Sequence, residues 1–406
     1  MGVMAFLPDF ASGEKGLDRT WVRSLYAVQA GFGVLFSLLA PILIRRFTNA
    51  SVLSVGLCIT SAASLAIGVF GPLAPGVTFA MHLVALRAVQ GCGDGLTQVA
   101  ALSTILRIAP ERSVSLYTGL CEGMRAFAGL IGPMLGGVIY QLGGVTLPWL
   151  VVGCLQALVP FTIASLVFLQ PQATSFIRMR AARVTGGDLL CRGPSVALLA
   201  VSAAGCLPLA LGEQTIEPFL QAAPYAASNQ IIGTIFGAAA FAALVGALLS
   251  GPSVVFLGEL PTLLVACAVS FGGQMMLAYA PPTAWWFALS LSTASCAFLP
   301  VLVVASALLL RVARTYGLEA KEYSEVIASA LMTTTMATMG AGTLVGPAAV
   351  DAWGFHRTLF VSGCLALIAP LFLLVRLHPA YAGRPLAPRA DELTEAAEEK
   401  KKQARL

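Results

Sequence analysis

Glu122 and Arg125 stand three residues apart inside GLCEGMRAFAGLIGPMLGG, at 119–137, a stretch otherwise made of apolar and small residues. At that spacing on a helix the two share a face. An ionised side chain at mid-membrane costs roughly 3 kcal/mol or more, so such groups face a watery cavity or each other. Two chemistries suit Glu122: it braces neighbouring helices through an arginine, or it meets a cation or exchanges a proton as a cavity opens.

Other charges have the same setting. Arg87, Gln90, Gly91 and Asp94 fall in RAVQGCGDG at 87–95. Arg87 would hold its helix to its neighbours, or relay protons to Glu122 at a similar depth. Asp94, two turns on, would contact a solute or stand in water near a cavity mouth. Glu213 and Glu217 are four apart and share a face. Pro218 follows Glu217 and would end or break the helix, and broken helices expose backbone groups at transporter binding sites. Asn229, Gln230 and Gln274 read as interhelical hydrogen bonds, His82 as a solvated histidine, and Trp285 and Trp286 as interfacial anchors.

Several function classes are excluded. GxGDG in an apolar helix follows no strand, so it cradles no phosphate. The sequence carries no metal-ligand cluster and no nucleophile triad. It reads as no enzyme and calls for no cofactor. Its nine cysteines form no CxxC pair and read as small apolar residues. With no basic stripe interleaved with aromatics, nucleic acid is not a partner.

The elements that must position these charges follow from composition. Charged residues make up 11% and hydrophobic ones 58%, and the mean hydropathy is +0.85. That much apolar surface needs lipid as its solvent. A bilayer takes about 20 apolar residues per helix. By that measure spans fall at 22–44, 52–71, 77–106, 114–141, 145–169, 195–217, 228–250, 257–280, 283–311, 323–350 and 355–377.

Within 114–141, Gly119, Gly123, Gly129, Gly132, Gly136 and Gly137 would let another helix approach closely. Pro133 would bend the segment. Loop charge alternates. Arg45, Arg46, Arg107, Arg112, Arg178, Arg180, Arg183, Arg192, Arg311, Arg314 and Lys321 fall on one side, and Lys15, Arg19, Arg23 and Arg357 on the other. Positive loops stay in the cytoplasm. The 170–194 linker and the acidic-then-basic C-terminal tail are therefore expected there.

The halves resemble each other. GLIGPMLGG at 129–137 recurs as GTLVGPAAV at 342–350, each followed by a turn and an apolar helix. Two homologous bundles joined by a basic linker account for this. Pro41 and Pro252 match near the ends of the second and eighth helices of a twelve-helix count. SVALLAVSAAGCLPLALGEQTIEPFL supplies a whole helix upstream in the second half. MGVMAFLPDFA supplies only a stub in the first, so helix 1 reads as incomplete.

These motifs resemble the major facilitator superfamily. The resemblance rests on R-x-x-Q-G-x-G at Arg87, Gln90, Gly91 and Gly93. It rests also on Gly119, Ala128, Gly132, Pro133, Gly136 and Gly137, where the antiporter motif has glycine in place of Ala128. YTGLCEGMRAFAGLIGPMLGGVIYQLGG and IEPFL at 216–220 look like the vesicular amine and polyamine branch. One departure concerns the superfamily's G-x3-D-R-x-G-R-R. Here the aligned run is PILIRRFTNA at 41–50, with Arg45 at the acidic position and Arg46 kept, which puts the usual cytoplasmic gate contact in doubt.

The expectation is an all-α polytopic membrane protein of the major facilitator fold, with two pseudo-symmetric six-helix bundles and the first helix truncated. Its parts are an N-terminal bundle at 1–169, a linker at 170–194, a C-terminal bundle at 195–377 and a charged tail at 378–406. The resemblance implies a monomeric secondary transporter, partnered by lipid, protons and a small solute. The solute is an organic cation such as an amine or polyamine, moved by proton-coupled antiport and alternating access. Glu122, Arg87, Glu217, Arg125 and Asp94 would bind solute or couple protons. Gly119, Gly132, Pro133, Gly136, Gly137 and Gly91 would pack and gate. An organic anion or drug-like solute is the alternative. A non-transporting sensor or assembly partner is the alternative from another class.

Overall fold

The computed structural model describes residues 16, 19–70, 76–110, 113–169, 187–212, 215–222, 227–279, 281, 283–316 and 318–381. Every regular element among them is helical. The first five are α1 (Arg19–Arg46), α2 (Asn49–Phe70), α3 (Gly76–Ile108), α4 (Val114–Gly143) and α5 (Thr146–Leu169). A single turn at Gly187–Leu190 precedes α6 (Gly193–Gly212) and the short α7 (Ile216–Gln221). Then come α8 (Asn229–Leu257), α9 (Glu259–Ala278) and α10 (Ala284–Thr315). A 3-10 turn at Ala320–Tyr323 leads to α11 (Ser324–Trp353) and α12 (Phe355–Tyr381). The opening stub, Glu213, most of the linker and the tail from 382 lie outside the described residues.

In lipid, each backbone polar group must be satisfied within its own segment, which leaves the helix as the form for these apolar runs. Among the described residues, nine helical segments are long and apolar enough to cross a bilayer, α6 and α7 counting as one. At 33 and 30 residues, α3 and α11 are as long but carry Arg87, Gln90 and Asp94, and Glu325 and Thr335 respectively. The helices α4 and α11 end alike. Gly144 and Gly354 have φ of +62° and +81°, and each N–H donates back, to Tyr140 and Val350 carbonyls, at 2.8 Å. Glycine enters that left-handed region without strain.

No break falls at Pro218: α7 starts at Ile216, after a turn at Thr215, and runs through it. Pro218 instead stands in the first turn of α7, where its missing N–H leaves no helix bond unmade.

The packing repeats. Helix α3 lies against α1 and α2 as α10 lies against α8 and α9, and α2 lies against α5 as α9 lies against α12. Across the boundary, α1 packs on α11 and α4 packs on α8, the same two positions exchanged. These are the pseudo-symmetric bundles, α1–α5 and α6–α12. In the second, α6 sits among α10, α11 and α12. Among the described residues nothing fills the matching position beside α3, α4 and α5, and α4 is the least enclosed of the apolar spans.

The core is divided unequally between the two ends. On the face where α5 ends and α6 begins, the linker face, one hydrophobic cluster draws on both bundles: Ile44, Val99 and Leu106 from the first, Leu198, Leu308 and Ile327 from the second. On the opposite, far face each bundle keeps its own. Leu25, Tyr26, Phe79 and Trp149 form one, and Ile216, Leu220, Phe287 and Phe355 belong to the other. Burial of apolar surface is the main adhesive between packed elements. The bundles are therefore fastened at the linker face and built separately at the far face.

Small residues set the close approaches. A Cβ on Gly91 would overlap the Gln29 carbonyl of α1, and one on Gly246 of α8 would overlap the Cys296 carbonyl of α10. Gly119 packs against α8 as its motif suggests: a Cβ there would lie 2.6 Å from Ser250 Oγ and 2.7 Å from the Ala247 carbonyl. Gly137, expected to pack in the same way, faces open space. Gly136 is buried and Gly132 half-buried, and α4 runs unbroken through position 133.

Candidate functional site

A chain of polar side chains crosses the first bundle. Arg87, Gln90, Gly91 and Asp94 share a face of α3 through their three- and four-residue spacing. Gly91 lets the backbone of α1 come close, which brings Gln29 between the two charges. Arg87 Nη1 donates to Gln29 Oε1 at 2.9 Å, and Gln29 Nε2 donates to Asp94 Oδ2 at 2.6 Å. The amide links a cation and a carboxylate that form no direct ion pair.

Arg87 also donates to Gln90 Oε1 at 3.2 Å, and Gln90 Nε2 donates to Ser64 Oγ of α2 at 2.8 Å. Ser64 Oγ reaches Gln156 Oε1 of α5 at 3.2 Å. The buried guanidinium lies 5.7 Å from the Tyr26 ring centre and 4.9 Å from that of Trp149. Such faces attract a cation. The charge of Arg87 is thus engaged within its own bundle.

The second group stands on α4, at the boundary with the other bundle. Glu122 is buried, with 9% of its side chain exposed, whereas Arg125 is 40% exposed. Arg125 Nη2 lies 2.7 Å from Glu122 Oε2, but out of line, so that oxygen has no hydrogen-bond partner.

Glu217 stands apart from both groups, half-buried in the first turn of α7. Gln221 Nε2 donates to its Oε1 at 3.3 Å. Nearby in sequence, Phe219 stacks on Phe355 at 3.8 Å and meets the edge of His356 at 5.5 Å.

The structure brings Arg87 to Asp94 and Arg125 to Glu122, and keeps those pairs at different heights. At 1.5 Å per residue, Arg87 lies about 30 Å from the linker-face end of α3, and Glu122 about 12 Å from that of α4. The expected relay between them at a similar depth is not formed. Asp94 falls between, about 21 Å from the linker-face end of α3. Three carboxylates, Glu217, Asp94 and Glu122, therefore descend in steps from the far face toward the sealed end.

Two residues carry weight that the sequence did not signal. Gln29 is a neutral amide in a helix next to an ambiguous stub. Glu325 pairs with Arg107 at the linker face, and in sequence it looked like the plain start of a span. Among the described residues no cluster of three or more His, Cys, Asp or Glu could hold a metal. All nine cysteines are free thiols.

A sequence model of the Major Facilitator Superfamily matches residues 1–318. The MFS-type transporter SLC18B1 of Mus musculus is 27% identical over 153 residues, 38% of this chain and 33% of that protein. The efflux pump aflT of Aspergillus parasiticus is 35% identical over 120 residues, 30% of this chain and 21% of its own. The vesicular acetylcholine transporter of Rattus norvegicus is 29% identical over 145 residues, 34% of this chain and 26% of its own. The matched stretches span a third or less of these relatives' lengths.

Proposed function

The chain belongs to the Major Facilitator Superfamily, and from that we propose that it is a secondary transporter moving a small organic cation across the membrane in exchange for protons. The observation that carries this reading is the unequal core: one cluster spans both bundles at the linker face, and two separate ones serve the far face. An alternating-access carrier caught open on one side needs that arrangement.

The charges favour a cation. Arg87 is held by Gln29, Gln90 and two aromatic rings, so its charge is not offered to a solute. Glu122 is enclosed beside one misaligned arginine whose side chain is 40% exposed. A cationic solute or a proton would complete it. A solute entering from the far face would meet Glu217, then Asp94, then Glu122. Release on the linker face requires the shared cluster to part, and protons would replace the cation on the carboxylates for the return. The basic residues at the linker face, among them Arg45, Arg46, Arg107 and Arg311, support a cytoplasmic setting for that face.

The test is uptake into proteoliposomes under an imposed pH gradient, with radiolabelled spermidine and acetylcholine as probes. Accumulation above equilibrium is expected, abolished by a protonophore. Glu122→Gln and Asp94→Asn are each expected to lower the rate at least tenfold while leaving the protein in the membrane. Undiminished gradient-driven uptake by both variants would remove the coupling role of these carboxylates.

A further inference from the structure

Among the described residues, the ion pair that joins the two bundles is Arg107 of α3 with Glu325 in the first turn of α11. The other two stay inside one bundle. Glu122–Arg125 lies within a single helix, and Arg311–Glu259 joins α10 to α9 at 3.0 Å with the arginine 41% exposed. Glu325 is fully buried and the Arg107 side chain is 12% exposed. They are surrounded by the shared cluster: Leu106, Ala109, Tyr323, Val326 and Ile327 flank them in sequence and belong to it.

Arg45 stands in the last turn of α1. In the aligned superfamily run, that position carries an acid. Here the signs are exchanged: the first bundle offers an arginine, Arg107, and the second bundle offers the acid. The remaining oxygen of Glu325, Oε2, has no hydrogen-bond partner. The hold on Glu325 is thus the charged contact of one oxygen with Arg107 from the opposite bundle. The start of α11 is a place where backbone N–H groups also favour an anion. Just above, Ser329 Oγ donates to the Ser37 carbonyl of α1 at 2.7 Å, which keeps the helices in register around the pair.

We propose that Glu325 is the latch of the linker-face gate, gripped by Arg107, and that the linker face opens by pulling Glu325 away from it. Burial makes this pair state-selective. Parting the bundles would expose both charges to water, where an ion pair holds weakly, so the contact exists chiefly in the closed state. Removing one partner leaves an uncompensated charge in an apolar cluster and tilts the equilibrium toward the open linker face. The proposal rests on the alternating-access reading, but its readout is conformational and does not depend on finding a solute.

The experiment is hydrogen–deuterium exchange by mass spectrometry on the full chain in nanodiscs. It follows peptides at the linker face (38–46 and 324–332) and at the far face (62–70 and 229–237). In Glu325→Gln and Arg107→Gln, exchange at the linker face is expected to quicken at least threefold, and exchange at the far face to slow. The exchanged pair, Arg107→Glu with Glu325→Arg, should return both faces toward the parent. Unchanged linker-face exchange in the single variants would overturn the latch. So would faster exchange at both faces, which marks loosening of packing, or a swapped pair that stays as open as the singles.

Discussion

Gln29 shows how much a single neutral side chain can organise. Its carbonyl serves Arg87 and its NH2 serves Asp94, so one amide holds two charges without letting them neutralise each other. Arg87 and Asp94 were legible in the sequence because charges stand out in an apolar run. Gln29 was not, since an amide in a helix signals nothing until a partner is in place. Replacing Gln29 with Leu strands a donor and an acceptor together, each worth about 1–3 kcal/mol when buried and unmet. Its thermal midpoint should fall by more than that of Gln156→Leu, at the outer end of the same chain. Equal losses in the two variants would show that Gln29 is not the centre of the network.

At the scale of the helix, small residues decide where backbones touch. In the motif on α4, Gly119 lies against α8, but Gly137 faces open space. A glycine's type is written in the sequence, whereas the helix that meets it is not. The contrasting case is Gly246, unremarkable in sequence and yet pressed against the Cys296 carbonyl. Gly246→Ala should destabilise by about 1–3 kcal/mol, because the obstacle is backbone and cannot rotate away. Gly137→Ala should be neutral or slightly stabilising, since alanine is the better helix former by roughly 0.5–1 kcal/mol. Thermal unfolding of the two purified variants checks both signs. The expectation of a break at Pro218 failed for a similar reason. A proline tolerated in a first turn and a proline that ends a helix read alike until the helix start is known.

At the scale of the whole molecule, the twofold plan was readable from the repeated Gly-Pro segments, and the packing of α1 on α11 and α4 on α8 realises it. Which face is closed was not readable. That depends on apolar residues from opposite bundles meeting, such as Ile44 with its cluster mates Leu308 and Ile327, and no local pattern encodes such a meeting. The degraded gate motif pointed toward a lost contact. The structure offers another contact in its place, with Glu325 supplying the acid from the other bundle.

The central claim is that the two bundles rock about a site in the membrane, sealing one face as the other opens. Double electron–electron resonance tests it most directly, with unnatural spin-labelled residues placed in pairs on the parent protein in nanodiscs. Val69 with Tyr279 reports the far face, where both are exposed, and Ile108 with Thr315 reports the linker face. As pH is lowered from 8 to 5.5 in the presence of millimolar spermidine, the account predicts two populations at each face that exchange in opposite directions, one distance shortening as the other lengthens. Distance distributions that stay single and unchanged at both faces, or that move with the same sign, would contradict it.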